Sequence, residues 1–162
     1  MAAWTFKEVP DLTGFRVLWS IARGWKTGTT EHSNAAKIIL VCRSEEPTRA
    51  AMADIAATTP FFPGAAPTAD RLELLILDLS DLPQVRQAAD ELKKRFDRID
   101  IICINNAGMN AMGTTTTTAA GHEIEMSVNH FGHFVFNAGE MPLLLASKAV
   151  TKKPARICSI VS

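Results

Sequence analysis

Polar side chains able to bind or transfer something stand just past apolar runs of this 162-residue chain. Arg43 and Ser44 follow the run KIILVC. A guanidinium presents a planar fork of donors that suits a phosphate, and a neighbouring hydroxyl can add another. Asp78 follows LELLIL and opens Asp78-Leu79-Ser80. Its carboxylate can accept from an amino group. Asn105-Asn106-Ala107-Gly108 closes the run IDIICI. The small residues there let backbone lie close to a bound molecule. Asn129 is an amide on an otherwise apolar helical pattern, and a buried amide needs partners. Each has a plain structural alternative. Asp78 can cap a turn, Arg43 can be a surface residue beside a helix-capping Ser44, Ala107-Gly108 can be a turn, and Asn129 can be a satisfied core amide.

Other candidates carry less. His130 and His133 lie three apart on one helical stretch, but no third ligand accompanies them. They read as packing or interface residues, and no metal site is expected. Cys42, Cys103 and Cys158 each sit in an apolar stretch and read as buried free thiols of a reducing compartment.

The elements that must position these residues follow from periodicity. Nearly continuous apolar runs at 15–20, 37–42, 72–77, 99–104 and 156–161 read as strands buried on both faces of a parallel sheet. Helical patterns fall between them. The clearest spans 82–96, where Val85, Ala88, Ala89, Leu92 and Phe96 share one face. Asp81 is placed to cap it, Pro83 suits its first turn, and Lys93, Lys94 and Arg95 suit its last. A shorter helix is expected from Ser44 or Glu45 to Ala57, and a long one from Gly121 to Leu145 that Pro142 bends or ends. The stretch 58–70, with three prolines and a glycine, reads as loop, as does the threonine run 114–118. Alternating strands and helices predict right-handed crossovers with helices on both faces. The fold class is α/β: a Rossmann-type, doubly wound parallel sheet of about five strands in a single domain, 1–162.

Composition narrows the function classes. Lys plus Arg equals Asp plus Glu, 17 against 17, so no general electrostatic pull toward nucleic acid or anionic membrane is expected. No apolar run reaches the ~18 residues of a membrane span. The opening residues lack the pattern of a secretory signal. A cytoplasmic location is expected.

Three motifs in order, Leu77-Asp78-Leu79-Ser80, Asn105-Asn106-Ala107-Gly108 and Val128-Asn129-His130-Phe131-Gly132-His133-Phe134, resemble the short-chain dehydrogenase/reductase family. Val9-Pro10-Asp11-Leu12-Thr13-Gly14 and Val41-Cys42-Arg43-Ser44 are similar to its retinol-dehydrogenase-like branch. The resemblance covers nearly the whole chain except about 19–34. It implies an oxidoreductase that moves hydride between a nicotinamide cofactor and a small-molecule alcohol or carbonyl. It implies cofactor-binding roles for Arg43, Ser44, Asp78, Leu79, Asn106, Ala107 and Gly108. Asp78 would meet the adenine. Arg43, where an acidic residue would favour NAD(H), favours NADP(H) by pairing with the 2′-phosphate. It also implies catalytic roles for Asn129, whose match anchors a water in the proton relay, and for Ser162, whose match is the catalytic serine.

Two departures stand beside the resemblance. The family carries T-G-x-x-x-G-x-G after its first strand, where glycines bring backbone to the pyrophosphate. Here 19–34 holds only Gly24 and Gly28. Cofactor binding is therefore expected to be weak. The family's proton donor is a Tyr in Y-x-x-x-K, and this chain has no tyrosine. The chain is expected to be a truncated, inactive form ending at the catalytic-serine position. A genetic or gene-model lesion would account for both departures; a local frame slip restored near Ala35, or a missed exon, would give the altered 19–34 segment. The alternative is a non-catalytic interaction protein or a non-functional fragment. Either form could self-associate or pair with a homologue through the 121–145 helix, whose Phe131, Phe134 and Phe136 are expected to be exposed.

Overall fold

The computed structural model describes residues 14–20, 37–58, 68–105, 107–111, 113 and 116–159. Five strands form one sheet: β1 (Arg16–Ser20), β2 (Lys37–Cys42), β3 (Leu72–Ile76), β4 (Ile101–Asn105) and β5 (Arg156–Ser159). All pair in parallel, in the order β3-β2-β1-β4-β5. The chain thus builds outward from β1 through β2 to β3, then returns to lay β4 on the other side of β1. That reversal opens a crevice at the carboxyl ends of β1 and β4, where open α/β sheets take their ligands.

Successive residues of a strand face opposite sides, and both sides are packed along β1 to β4, whereas β5 is exposed at all four residues, against the expectation of a strand buried on both faces. Leu18, Ile39, Val41, Leu75 and Ile102 join the larger apolar cluster. Their neighbours Val17, Ile38, Leu40, Leu72 and Ile101 join the smaller one. The helix α1 (Glu45–Thr58) supplies Ile55 and Met52 to the smaller cluster. The larger cluster is roofed by α3 (Leu82–Arg95) and by the long helix that precedes β5. A short helix α2 (Thr68–Arg71) leads into β3.

The start of α3 follows its sequence. The Asp81 carboxylate accepts from the Gln84 N–H at 3.1 Å, and Val85, Ala88, Ala89 and Leu92 are buried. The long helix is compound. It begins with α4 (Ile124–Met126), widens into a π turn at Ser127–Phe131, and continues as α5 (Gly132–Thr151). Glycines let it approach its neighbours closely. A Cβ on Gly139 would stand 2.6 Å from the Ala89 Cβ, and one on Gly132 would stand 2.5 Å from the Leu79 carbonyl oxygen.

Several expectations need correction. The long helix starts at Ile124 and runs to Thr151, so Pro142 does not end it. Leu143, Leu144 and Ser147 beyond the proline are buried, so packing outweighs the missing N–H. Phe136 is in the core, and Phe134 alone among the three phenylalanines is highly exposed, at 67%. Residues 134 and 136 are two apart, so they face opposite sides of a helix. Thr68–Arg71 is helical although 58–70 was expected to be loop, because the helix starts just after Pro67. The fourth strand starts at Ile101, since Asp100 has a different task described below. Cys158 is exposed on the edge strand β5, and Cys42 is half-buried; both are free thiols.

Candidate site at the carboxyl ends of the strands

Arg43 and Ser44 stand exposed just after β2. Ser44 precedes α1, and its carbonyl accepts from the Thr48 hydroxyl at 2.7 Å. The same Thr48 hydroxyl lies within hydrogen-bonding distance of the Cys42 sulfur, so its one proton is shared between the two acceptors. Burial pushes the Cys42 thiol above its ordinary range, partly offset by the Thr48 and Ser44 hydrogen bonds. The thiol therefore stays protonated at neutral pH. The two side chains expected to read a phosphate remain at the surface on a pinned turn.

Asp78 serves the structural role in part. Its Oδ1 accepts from both the N–H and the hydroxyl of Ser80, at 2.8 and 2.7 Å. Its own N–H donates to Gln84 Oε1 at 2.6 Å. Both carboxylate bonds fall on one oxygen, so the turn leaves Oδ2 outside this pair. Leu79 is buried, and its carbonyl lies under Gly132. The Asp78-Leu79-Ser80 turn is thereby held against the start of α5.

Asn129 sits in the π turn. Its Oδ1 accepts from the Met109 N–H at 2.8 Å, and its Nδ2 donates to the Met109 carbonyl at 2.9 Å. The alternative of a satisfied core amide does not hold, because Asn129 is exposed. Its partners are backbone of the segment that follows β4. A Cβ on Gly108 would lie 3.2 Å from Asn129 Oδ1, so the residue at 108 is held small.

His133 was expected to be a packing or interface residue, and it does more. It is buried, and its Nε2 lies 2.7 Å from the Ala107 carbonyl. Burial pushes its pKa down from the ordinary histidine range, so the ring is neutral at pH 7. A carbonyl only accepts, so Nε2 carries the proton. Glu125, which sequence reasoning passed over, accepts from the Ala111 N–H. Its Glu-x-x-x-Asn-x-x-x-His spacing was the available signal. His130 is exposed beside the Phe131 ring.

The structure therefore brings together the turn at 78–80, the backbone at 107–111 and one face of the helix at 125–133. Arg43 and Ser44 lie past the neighbouring strand end on the same edge of the sheet. Asn106, Ser162 and 21–34 lie outside the described residues. Among the described residues, no group of three His, Cys, Asp or Glu is placed to hold a metal, and no helix is long and apolar enough to cross a membrane.

Comparison with known proteins decides the lineage. Residues 24–162 match the family model described as short chain dehydrogenase. The chain belongs to the short-chain dehydrogenase family. It is 32% identical to the short chain dehydrogenase/reductase dpchH of Colletotrichum higginsianum, over 98% of this chain and 39% of that protein. It is likewise 32% identical to human retinol dehydrogenase 13, over 86% of this chain and 38% of the relative. Among solved structures, a metagenomic short-chain oxidoreductase in complex with NADP superposes with a TM-score of 0.67. It is 22% identical, with 93% of this chain and 63% of that one covered. An NADH-dependent reductase complexed with NAD gives a TM-score of 0.60 at 15% identity, covering 96% of this chain and 61% of that one. These two show the fold. The short-chain dehydrogenase chain spans less than half the length of the curated relatives it matches.

Proposed function

We propose that residues 1–162 are a single nicotinamide-dinucleotide-binding domain of an alcohol or carbonyl oxidoreductase, with NADP(H) favoured over NAD(H). The observation that carries this reading is the gathering of Asp78, Ala107-Gly108 and Asn129 at the carboxyl side of a sheet whose order reverses between β1 and β4. The donor set suits a dinucleotide. Arg43 and Ser44 would hold the 2′-phosphate, and Asp78 Oδ2 would accept from the adenine amino group. Leu79, Asn106, Ala107 and Gly108 would run beside the nucleotide, where the smallness of Gly108 keeps backbone accessible.

A bound nicotinamide cofactor would supply the hydride chemistry, exchanging hydride with the substrate. The chain's own contribution is position. The Asn129 side-chain amide is already engaged by Met109, so a water anchored at this residue would be held by backbone of the widened turn. Ser162 would orient the substrate oxygen. The family's proton donor is a tyrosine, and these 162 residues contain none. We propose that this chain alone carries out no turnover by that mechanism. The family's glycine-rich pattern is missing from 19–34, and we expect weak cofactor binding on that ground. The location we propose is the cytoplasm.

Titration of the chain with NADPH and NADH tests the reading. NADPH is expected to bind weakly, above the micromolar range, and more tightly than NADH. Arg43→Ala should remove most of that preference, a loss of about tenfold or more for a charge-assisted pair. Equal affinity of the unmodified chain for both cofactors would refute the assignment of Arg43.

Partnership rests on a separate observation. Phe134, Met141 and Leu145 are exposed along the outer face of α5, at spacings of seven and four. We propose that this stripe pairs with a second copy or a homologue. Light scattering should then report an assembly that Phe134→Glu dissociates; a monomer before the substitution refutes the pairing with a second copy.

A further inference from the structure

Three helix side chains spaced four apart hold three alternate residues of one backbone segment. Glu125 accepts from the Ala111 N–H. Asn129 bonds both the N–H and the carbonyl of Met109. His133 donates to the Ala107 carbonyl. The pairings 125 with 111, 129 with 109 and 133 with 107 run in antiparallel sense, so one helix stretch grips the segment along its length.

The segment buries little of itself. Gly108, Met109 and Asn110 are exposed, and Ala107 and Ala111 are only half-buried. Apolar burial therefore anchors its ends weakly. The grip spans the π turn, so the widening sits within the helix stretch that carries the three side chains.

We propose that Glu125 and His133 are positioning residues, which with Asn129 between them set the path of the 107–111 backbone beside the cofactor. The cofactor half of this rests on the function proposed above. His133 is suited to the task because its neutral ring keeps Nε2–H on the Ala107 carbonyl. Glu125 brings a carboxylate to a backbone donor, the stronger kind of hydrogen bond.

Amide hydrogen exchange on the full chain, resolved by residue, tests the grip without cofactor. Glu125→Met should speed exchange of the Ala111 amide about tenfold, as expected for loss of one charge-assisted bond. Glu125→Gln keeps an acceptor oxygen and should restore most of the protection. His133→Phe keeps a ring and loses the bond to Ala107, and should speed exchange at Met109. Exchange within α3 should stay unchanged in all three, which separates loosening of the segment from general destabilisation. Unchanged exchange at 109 and 111 in Glu125→Met and His133→Phe overturns the grip.

A second arm titrates NADPH. Weaker binding by His133→Phe, about tenfold, supports the link from grip to cofactor. Faster exchange with unchanged NADPH affinity overturns that link. No NADPH binding by the unmodified chain overturns the proposed function instead, and the exchange arm still decides the grip.

Discussion

Asp100→Ala is expected to destabilise the fold by about 3–5 kcal/mol, the usual result of stripping one partner from a buried charged cluster. Asp100 is 1% exposed, at the amino end of the sheet, opposite the candidate site. Its Oδ2 accepts from the Arg16 N–H at 2.7 Å, at the start of β1. Its Oδ1 accepts from the Ser147 hydroxyl at 2.5 Å, near the end of α5, and from Arg98 Nε at 3.1 Å. Its own N–H donates to the Arg16 carbonyl, and its carbonyl accepts from the Arg156 N–H at the start of β5. One residue thus ties β1, α5 and β5 together. Alanine leaves several of these donors buried and unmatched. Domains of this size hold about 5–15 kcal/mol in total, so the loss takes a large share. Urea denaturation measures it. Ser147→Ala, which removes one bond, should lose only about 1 kcal/mol. A loss below about 1 kcal/mol for Asp100→Ala would show that the cluster is not a structural tie.

Glu140→Leu is expected to stabilise the protein, increasingly so as pH rises. Glu140 is fully buried on α5, and neither carboxylate oxygen has a hydrogen-bond partner among the described residues. The facing side of α3 offers Val85, Ala88, Ala89 and Leu92, none of which can pair with it. Burial pushes its pKa from an ordinary 4.5 up to about 8. The folded chain therefore keeps the proton while the unfolded chain releases it. The sign is opposite to that of a salt-bridged carboxylate. The stability associated with Glu140 is fully present below pH 4.5 and is lost as pH rises toward 8. The slope within that window approaches roughly 1.4 kcal/mol per pH unit. Leucine has no proton to lose, so Glu140→Leu should flatten this arm of the stability profile. Parallel pH profiles for the two proteins would contradict this reading.

Some of the fold was plain in the sequence, for identifiable reasons. Ile38–Cys42 is a continuous apolar run, buried through Ile38–Val41, and with Lys37 it forms the strand expected over those six residues. Asp81, Pro83 and the basic last turn mark the limits of α3 well, since capping acts locally. Ile99 and Asp100 read as strand because apolarity alone marked the edge. A buried carboxylate satisfied by distant backbone leaves no trace in periodicity. Pro142 suggested a helix end, but the tertiary packing of Leu143, Leu144 and Ser147 carries the helix on.

The candidate site was legible by motif more than by contact. Asp78, Gly108 and Asn129 were singled out, and they lie close around one end of the sheet. The π turn at Ser127–Phe131 was not foreseen, because no residue type in the sequence marks it. Glu125 drew no reading from the sequence, and His133 read as a packing or interface residue. Their partners are backbone groups of a segment distant in sequence, and backbone groups are the same at every position.

Hydrogen exchange with and without saturating NADPH tests the central claim most directly, that the dinucleotide lies across the carboxyl ends of β2, β3 and β4. The account predicts slowed exchange confined to the amides at 43–44, 78–80 and 107–109, with the amino-end cluster around Asp100 unaffected. Absence of any NADPH-dependent protection, or protection at the amino ends of the strands, would contradict it.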